Sequence, residues 1–160
     1  MRILGVDPGS RVTGYGIIDS DGLKINLLEA GEIKPKATET LSNRICKIYE
    51  NLSDIVTTYK PDVLILEKLY THHQRLTTAS VLGHVRGVIC LLCAQKKIVL
   101  KESSVKRIRK ALTGNGSATK RQTQSMVASF LNVDEARLTP DASDALALAL
   151  GYITLNRIKI

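Results

Sequence analysis

Two short apolar runs that each stop at an acid constrain this chain most: Ile3-Leu4-Gly5-Val6-Asp7 and Val63-Leu64-Ile65-Leu66-Glu67. Apolar runs of this length, bounded by turn formers, suit strands buried on both faces in the middle of a helix-covered sheet. A carboxylate closing such a strand stands at the rim of the core, and ligands of open α/β sheets gather at the carboxyl ends of strands. If the two strands are parallel neighbours, Asp7 and Glu67 converge. Their repulsion and lost hydration then call for a compensating cation.

The remaining pattern predicts further strands over Gly14–Ile18, Leu23–Ile33 and Ile98–Leu100, with a hairpin turn at Asp19-Ser20-Asp21-Gly22. Helices are predicted over Glu39–Tyr59, with Leu41, Ile45, Ile48, Leu52 and Ile55 on one face, and over Thr77–Gln95. A short basic helix capped by Ser103 or Ser104 should run to Leu112, and another helix from Thr119 to Leu131. The last helix should begin at Thr139-Pro140-Asp141, with Thr as cap and Pro in the first turn. The order β-β-β-α-β-α-β-α-α gives an α/β fold with one mixed central sheet flanked by helices. With no repeat or linker in its 160 residues, the chain reads as a single domain, 1–160, too short for a two-lobed enzyme of ~300 residues.

Asp141 and Asp144 lie three apart, on one face of the last helix. The residues after them, Ala145 to Leu150, are small and apolar all round. Such a helix packs closely on a sheet and would carry both acids to the strand ends. Four carboxylates without Cys or His suit Mg²⁺, with Mn²⁺ as a substitute. Two such ions per site would clamp an in-line displacement at phosphorus. Taken singly, each acid has a blander reading: a turn residue at Asp7, a strand-end salt bridge at Glu67, first-turn acids at Asp141 and Asp144.

The net charge of +8 is uneven. Residues 1–80 carry ten basic and ten acidic residues, whereas residues 81–160 carry thirteen and five. Nine basic residues and one acid lie between Lys96 and Arg121, which points to a polyanion such as nucleic acid. The three cysteines, Cys46, Cys90 and Cys93, suggest a reducing compartment, hence the cytoplasm. Cys90 and Cys93 read as small buried hydrophobes rather than a metal site. No targeting or membrane-spanning segment is expected, since an acid interrupts the start and Ala145–Leu155 is too short.

Residues Ile3 to Gly16, ILGVDPGSRVTGYG, closely resemble the opening of the RuvC family of bacterial Holliday junction resolvases. The resemblance continues through Tyr59-Lys60-Pro61-Asp62 to Glu67, Leu82-Gly83-His84-Val85-Arg86-Gly87, Thr113-Gly114-Asn115-Gly116-Ser117-Ala118 with Lys120, and Pro140-Asp141-Ala142-Ser143-Asp144-Ala145-Leu146-Ala147. It implies an RNase H-like fold, a homodimer, and Mg²⁺-dependent symmetric nicking of a four-way DNA junction beside a RuvA–RuvB branch-migration complex. On that pattern Asp7, Glu67, Asp141 and Asp144 are the catalytic, metal-binding acids and Lys120 a basic residue of the rim. Tyr70 stands where the family commonly has a base-contacting Phe, and its ring can still stack on a base. Arg109 stands where the family usually has Lys, keeping the charge but changing the donor geometry.

Further DNA contacts are expected at Arg75, Lys106, Arg107, Lys110 and Arg121, and at Gly114 and Gly116, whose loop would let backbone approach phosphate. Arg86 reads equally as a DNA contact or a salt bridge. His72 and His73 read as solvent-facing, His84 as a packing residue, and the face Val81, Val85, Val88, Leu92 as core or dimer interface. Three rivals remain at this point: another nuclease on the same fold, an ATPase or sugar-kinase-like domain, and a non-catalytic junction-binding protein.

Overall fold

A computed structural model describes residues 1–22, 24–68 and 76–157. Five strands form one sheet: β1 (Arg2–Asp7), β2 (Thr13–Ser20), β3 (Ile25–Ile33), β4 (Val63–Glu67) and β5 (Val99–Ser103), ordered β3-β2-β1-β4-β5. β1, β2 and β3 pair antiparallel, while β4 runs parallel to both β1 and β5. The mixed sheet expected from the element order is therefore present, and β1 and β4 are parallel neighbours.

Helices α1 (Leu41–Tyr59) and α2 (Leu76–Lys96) cover one face. Ile48, Leu52 and Val56 of α1 and Val85, Ile89 and Leu92 of α2 pack there on Leu4, Val6, Ile17, Leu64 and Leu66. Helices α3 (Val105–Thr113), α4 (Lys120–Leu131) and α5 (Pro140–Arg157) cover the other. There Ile108, Leu112, Val127 and Leu146 meet Ile3, Ile18 and Ile65. Alternate residues of each central strand thus feed opposite cores, as the two-residue period requires.

Capping sets most helix starts. Thr40 accepts from Asn43 N–H, so α1 begins at Leu41, two residues past the expected Glu39. Ser104, not Ser103, caps α3, and Thr119 forms a capping box with Gln122 at α4. β2 runs on through Ser20 and β3 starts at Ile25, so the connection falls later than expected. β5 extends to Ser103, past its apolar run, because the backbone of Lys101, Glu102 and Ser103 continues the ladder with β4 at the sheet edge.

The expectations for α2 need correcting. Val85, Leu92 and Cys93 are core, but His84 and Cys90 are exposed, as is Leu91 at 52%. The helix is apolar on both sides, so its periodicity did not say which face turns inward. The stretch Thr77–Lys96 is also long and apolar enough to cross a membrane by length and composition. Here it packs its Val85, Ile89 and Leu92 into the core.

Candidate active site

The sheet register brings the strand-end acids together. The β1–β4 ladder ends at the pair Val6–Leu66, and the next residues on the two strands are Asp7 and Glu67. Asp7 lies opposite Gly14 on β2, and Gly14 lies opposite Glu32 on β3. Residues paired across strands present to the same face. One row across the sheet therefore holds Glu32, Gly14, Asp7 and Glu67.

The first turn of α5 lies over this row. A Cβ at Gly14 would fall 2.1 Å from the Asp141 carbonyl oxygen, and one at Gly5 would fall 1.9 Å from that of Ala145. The bare backbone at these two positions is what lets α5 lie against the sheet. Thr139 caps the helix, its Oγ1 accepting from Ala142 N–H. Asp144 thereby reaches the cleft beside Asp7 and Glu67, while Asp141 lies over Gly14 next to Glu32.

Asp7, Glu67 and Asp144 line one cleft of about 240 Å³, together with Arg109, Lys120 and Ile108. Lys120 Nζ lies 2.6 Å from Asp144 Oδ2. Asp141 stands at the far side of Asp7, beside Glu32. The Glu32 carboxylate is 7% exposed and is paired with Lys34. Hydrogen bonds to Lys34 and Thr139 hold Glu32 below the usual carboxylate range. Glu32 is a fifth acid of this region that sequence reading passed over. Its signal was weak: β3 is an edge strand of mixed burial, and nothing in its pattern marks a strand end.

The electrostatics are those of crowded like charges. Burial, then Asp144, Glu67 and Asp141, push Asp7 up to about 7 against the pull of Lys120. Burial and Asp144 raise Glu67, opposed by Arg109, Arg86 and Lys120. Burial and Glu32 raise Asp141. The hydrogen bond to Asp144 raises Lys120. The local cations leave the negative charge under-compensated, and a cleft lined by carboxylate oxygens without Cys or His fits a hard divalent cation. Among the described residues, no three acid, His or Cys side chains stand close enough to hold an ion as they are. One oxygen of Asp144 is engaged by the Lys120 ammonium instead.

The basic residues divide into three groups. Lys106, Lys110, Lys120 and Arg121 are exposed on α3 and α4; Lys120 lines the cleft, whereas Arg121 lines another cavity with Thr113 and Asn115. Arg107 is exposed as well but lines a separate cavity with Lys101, Glu102 and Tyr152. Arg86 turns inward: its guanidinium donates to the Glu67 backbone carbonyl and pairs with Glu102. Of its two readings the structure takes the salt bridge, made across to β5 rather than along its own helix. Gly114 is the left-handed cap of α3, φ 76°, with its N–H on the Lys110 carbonyl. Gly116 packs against Lys106. Tyr70, His72, His73 and Arg75 lie outside the described residues.

The family model described as crossover junction endodeoxyribonuclease RuvC matches residues 3–152. The protein of that name from Rhodopirellula baltica is 39% identical over 155 residues, 96% of this chain and 87% of the relative. The solved Thermus thermophilus RuvC superposes with a TM-score of 0.89 at 24% identity, covering 99% of this chain and 97% of that one. The same protein in complex with Holliday junction substrate gives 0.88 at 23% identity, covering 99% and 96%.

Proposed function

This chain belongs to the RuvC family of crossover junction endodeoxyribonucleases, and on that premise we propose how its residues cut a four-way DNA junction. It is a DNA endonuclease that resolves Holliday junctions in recombination and repair. The acid row beneath the start of α5 is the observation that carries the residue assignment.

Asp7, Glu67, Asp141 and Asp144 would hold divalent cations, Mg²⁺ or Mn²⁺ and two per site. Once bound, these supply charge neutralisation at the attacked phosphate and ionisation of the attacking water. The chain's own part is placement. The β1–β4 ladder sets the spacing of Asp7 and Glu67, and the close seat of α5 sets Asp141 and Asp144 against them. The Lys120 ammonium, which lines the cleft, would meet negative charge building on the phosphate oxygens. Arg109, in the same cleft, offers a planar fork suited to a phosphate. Lys106, Lys110 and Arg121 attract the DNA backbone by counterion release, and Tyr70 stacks on a base near the crossover.

A two-fold junction cut on two strands calls for two sites related by a two-fold axis, hence a homodimer. The outer face of α2, with Leu91, Cys90, Gly83, Gly87 and Ala94 exposed, is an apolar, small-residue surface suited to a second copy. The enzyme then works in the cytoplasm beside the RuvA–RuvB branch-migration complex. The test is cleavage of a mobile four-way junction beside a linear duplex of the same sequence, with and without Mg²⁺. Paired nicked duplexes from the junction alone, only with Mg²⁺, are expected. Equal cutting of the linear duplex would overturn the reading.

A further inference from the structure

Arg86 is a cation in the described structure that serves neither solvent nor the basic face. Only 12% of its side chain is exposed. From α2 its Nη1 donates to the carbonyl oxygen of Glu67, and its Nη2 pairs with Oε1 of Glu102 on β5. One side chain thus ties a helix to the ends of two strands.

The place matters because the sheet's own support runs out there. The ladder between β1 and β4 stops at Val6–Leu66, so the Glu67 carbonyl lies beyond it. On the other side, pairing with β5 ends at Glu67–Ser103, followed by one bond from Lys68 N–H to the Ser103 carbonyl at 2.8 Å. A buried backbone carbonyl without a partner is costly, and a charged donor is the strongest one available. The guanidinium fork can hold the carbonyl while Glu102 holds the fork. It also adds positive charge beside Glu67, against burial and Asp144.

We propose that Arg86 is a positioning residue for strand cleavage, fixing the backbone of Glu67 at the end of β4 with Glu102 as its anchor. This rests on the reading that Glu67 serves the cleavage site. Arg86 touches neither the reacting atoms nor DNA. Removing it leaves the basic face on α3 and α4 intact and loosens one carboxylate of the site. Lysine at this position keeps the charge but reaches one partner at a time.

The experiment compares full-length wild type, Arg86→Gln, Arg86→Lys, Glu102→Gln and Glu67→Gln. Junction binding is measured without divalent ion, single-turnover cleavage in Mg²⁺, and Mn²⁺ binding to the DNA-free protein by calorimetry. Arg86→Gln should cut about 100-fold slower, the scale of a roughly 1 Å misplacement. Its junction Kd should stay within about 2-fold and its Mn²⁺ affinity should fall severalfold. Arg86→Lys should recover about 10-fold of the rate, and Glu102→Gln should fall between wild type and Arg86→Gln. If Arg86→Gln fails to fold, the half-exposed Glu102→Gln carries the test alone. Wild-type cutting by Arg86→Gln and Glu102→Gln, with Glu67→Gln inactive, overturns the inference and leaves the site standing. So does a loss of junction binding that matches the loss of rate. Cutting by Glu67→Gln overturns the reading of the site itself.

Discussion

The ammonium of Lys120 lies 2.6 Å from a carboxylate oxygen of Asp144, so the first residue of α4 reaches the second turn of α5 across the mouth of the acid cleft. Both groups are partly exposed, so the pair adds little to stability by itself. Its consequence is electrostatic: the pair holds one cation in the cleft that Asp7 and Glu67 also line.

Lys120→Met should therefore lower the single-turnover cleavage rate by about 10²-fold, as loss of one transition-state charge donor does. Junction binding should weaken far less, because Lys106, Lys110 and Arg121 remain. Rates at saturating protein separate the two effects, and a change confined to Kd would remove Lys120 from the chemical step.

Asp7 titrates at about 7 in the folded chain against 3.8 for an unperturbed Asp. Between those values the folded state binds the extra proton, so the ion-free protein should lose stability as pH rises from about 4 to about 7. Asp7→Asn should flatten that slope and stabilise the ion-free protein at pH 7.5 by about 2–4 kcal/mol. It should also abolish cleavage. Denaturant melts of both proteins across this pH range, in chelator, provide the check. A parallel pair of curves would contradict the placement of Asp7.

Protons and divalent ions compete for the same carboxylates. As pH falls below about 7, the Mg²⁺ concentration for half-maximal cleavage should rise about tenfold per unit, one proton being displaced at Asp7. A Mg²⁺ titration at pH 6, 7 and 8 measures this directly.

Gly14→Ala should be severely damaging, since the added methyl would fall 2.1 Å from the Asp141 carbonyl. Backbone has to move to relieve that contact, at a cost of about 1–3 kcal/mol typical of overpacking, and α5 with its two acids moves with it. Thermal melting and cleavage assays should both show the loss, with cleavage falling more than folded fraction.

Neutralising Lys106 and Lys110 together should weaken junction binding and shallow its dependence on log salt by up to about 2. Arg107, turned to a separate cavity, should contribute less to that slope. Equal effects from all three residues would mean that DNA wraps further around α3 than this arrangement implies.

How far these features could be read in advance varies with their physics. Asp7 and Glu67 were legible because a fully apolar run that ends in an acid has few other uses, and parallel pairing made them neighbours. The last helix was legible from its Thr-Pro start and its small residues, although the glycine track that receives it had to be seen in the sheet. Glu32 was not legible, since an edge strand of mixed burial gives no register. The inward turn of Arg86 was hidden because α2 is apolar on both sides, and the same ambiguity misplaced His84 and Cys90. The hydrophobic signal of β5 ends at Leu100, while its backbone ladder continues to Ser103. Tyr70 rests on family resemblance, and both it and Arg75 lie outside the described residues.

Crystals of the protein grown or soaked in Mn²⁺, with diffraction recorded at the manganese edge, test the central claim most directly. An anomalous peak with oxygens of Asp7 and at least one of Glu67, Asp141 and Asp144 at about 2.0–2.3 Å is predicted, with the Lys120 ammonium drawn off Asp144. Manganese bound elsewhere, with the Lys120–Asp144 pair intact and no peak among the four acids, would contradict it.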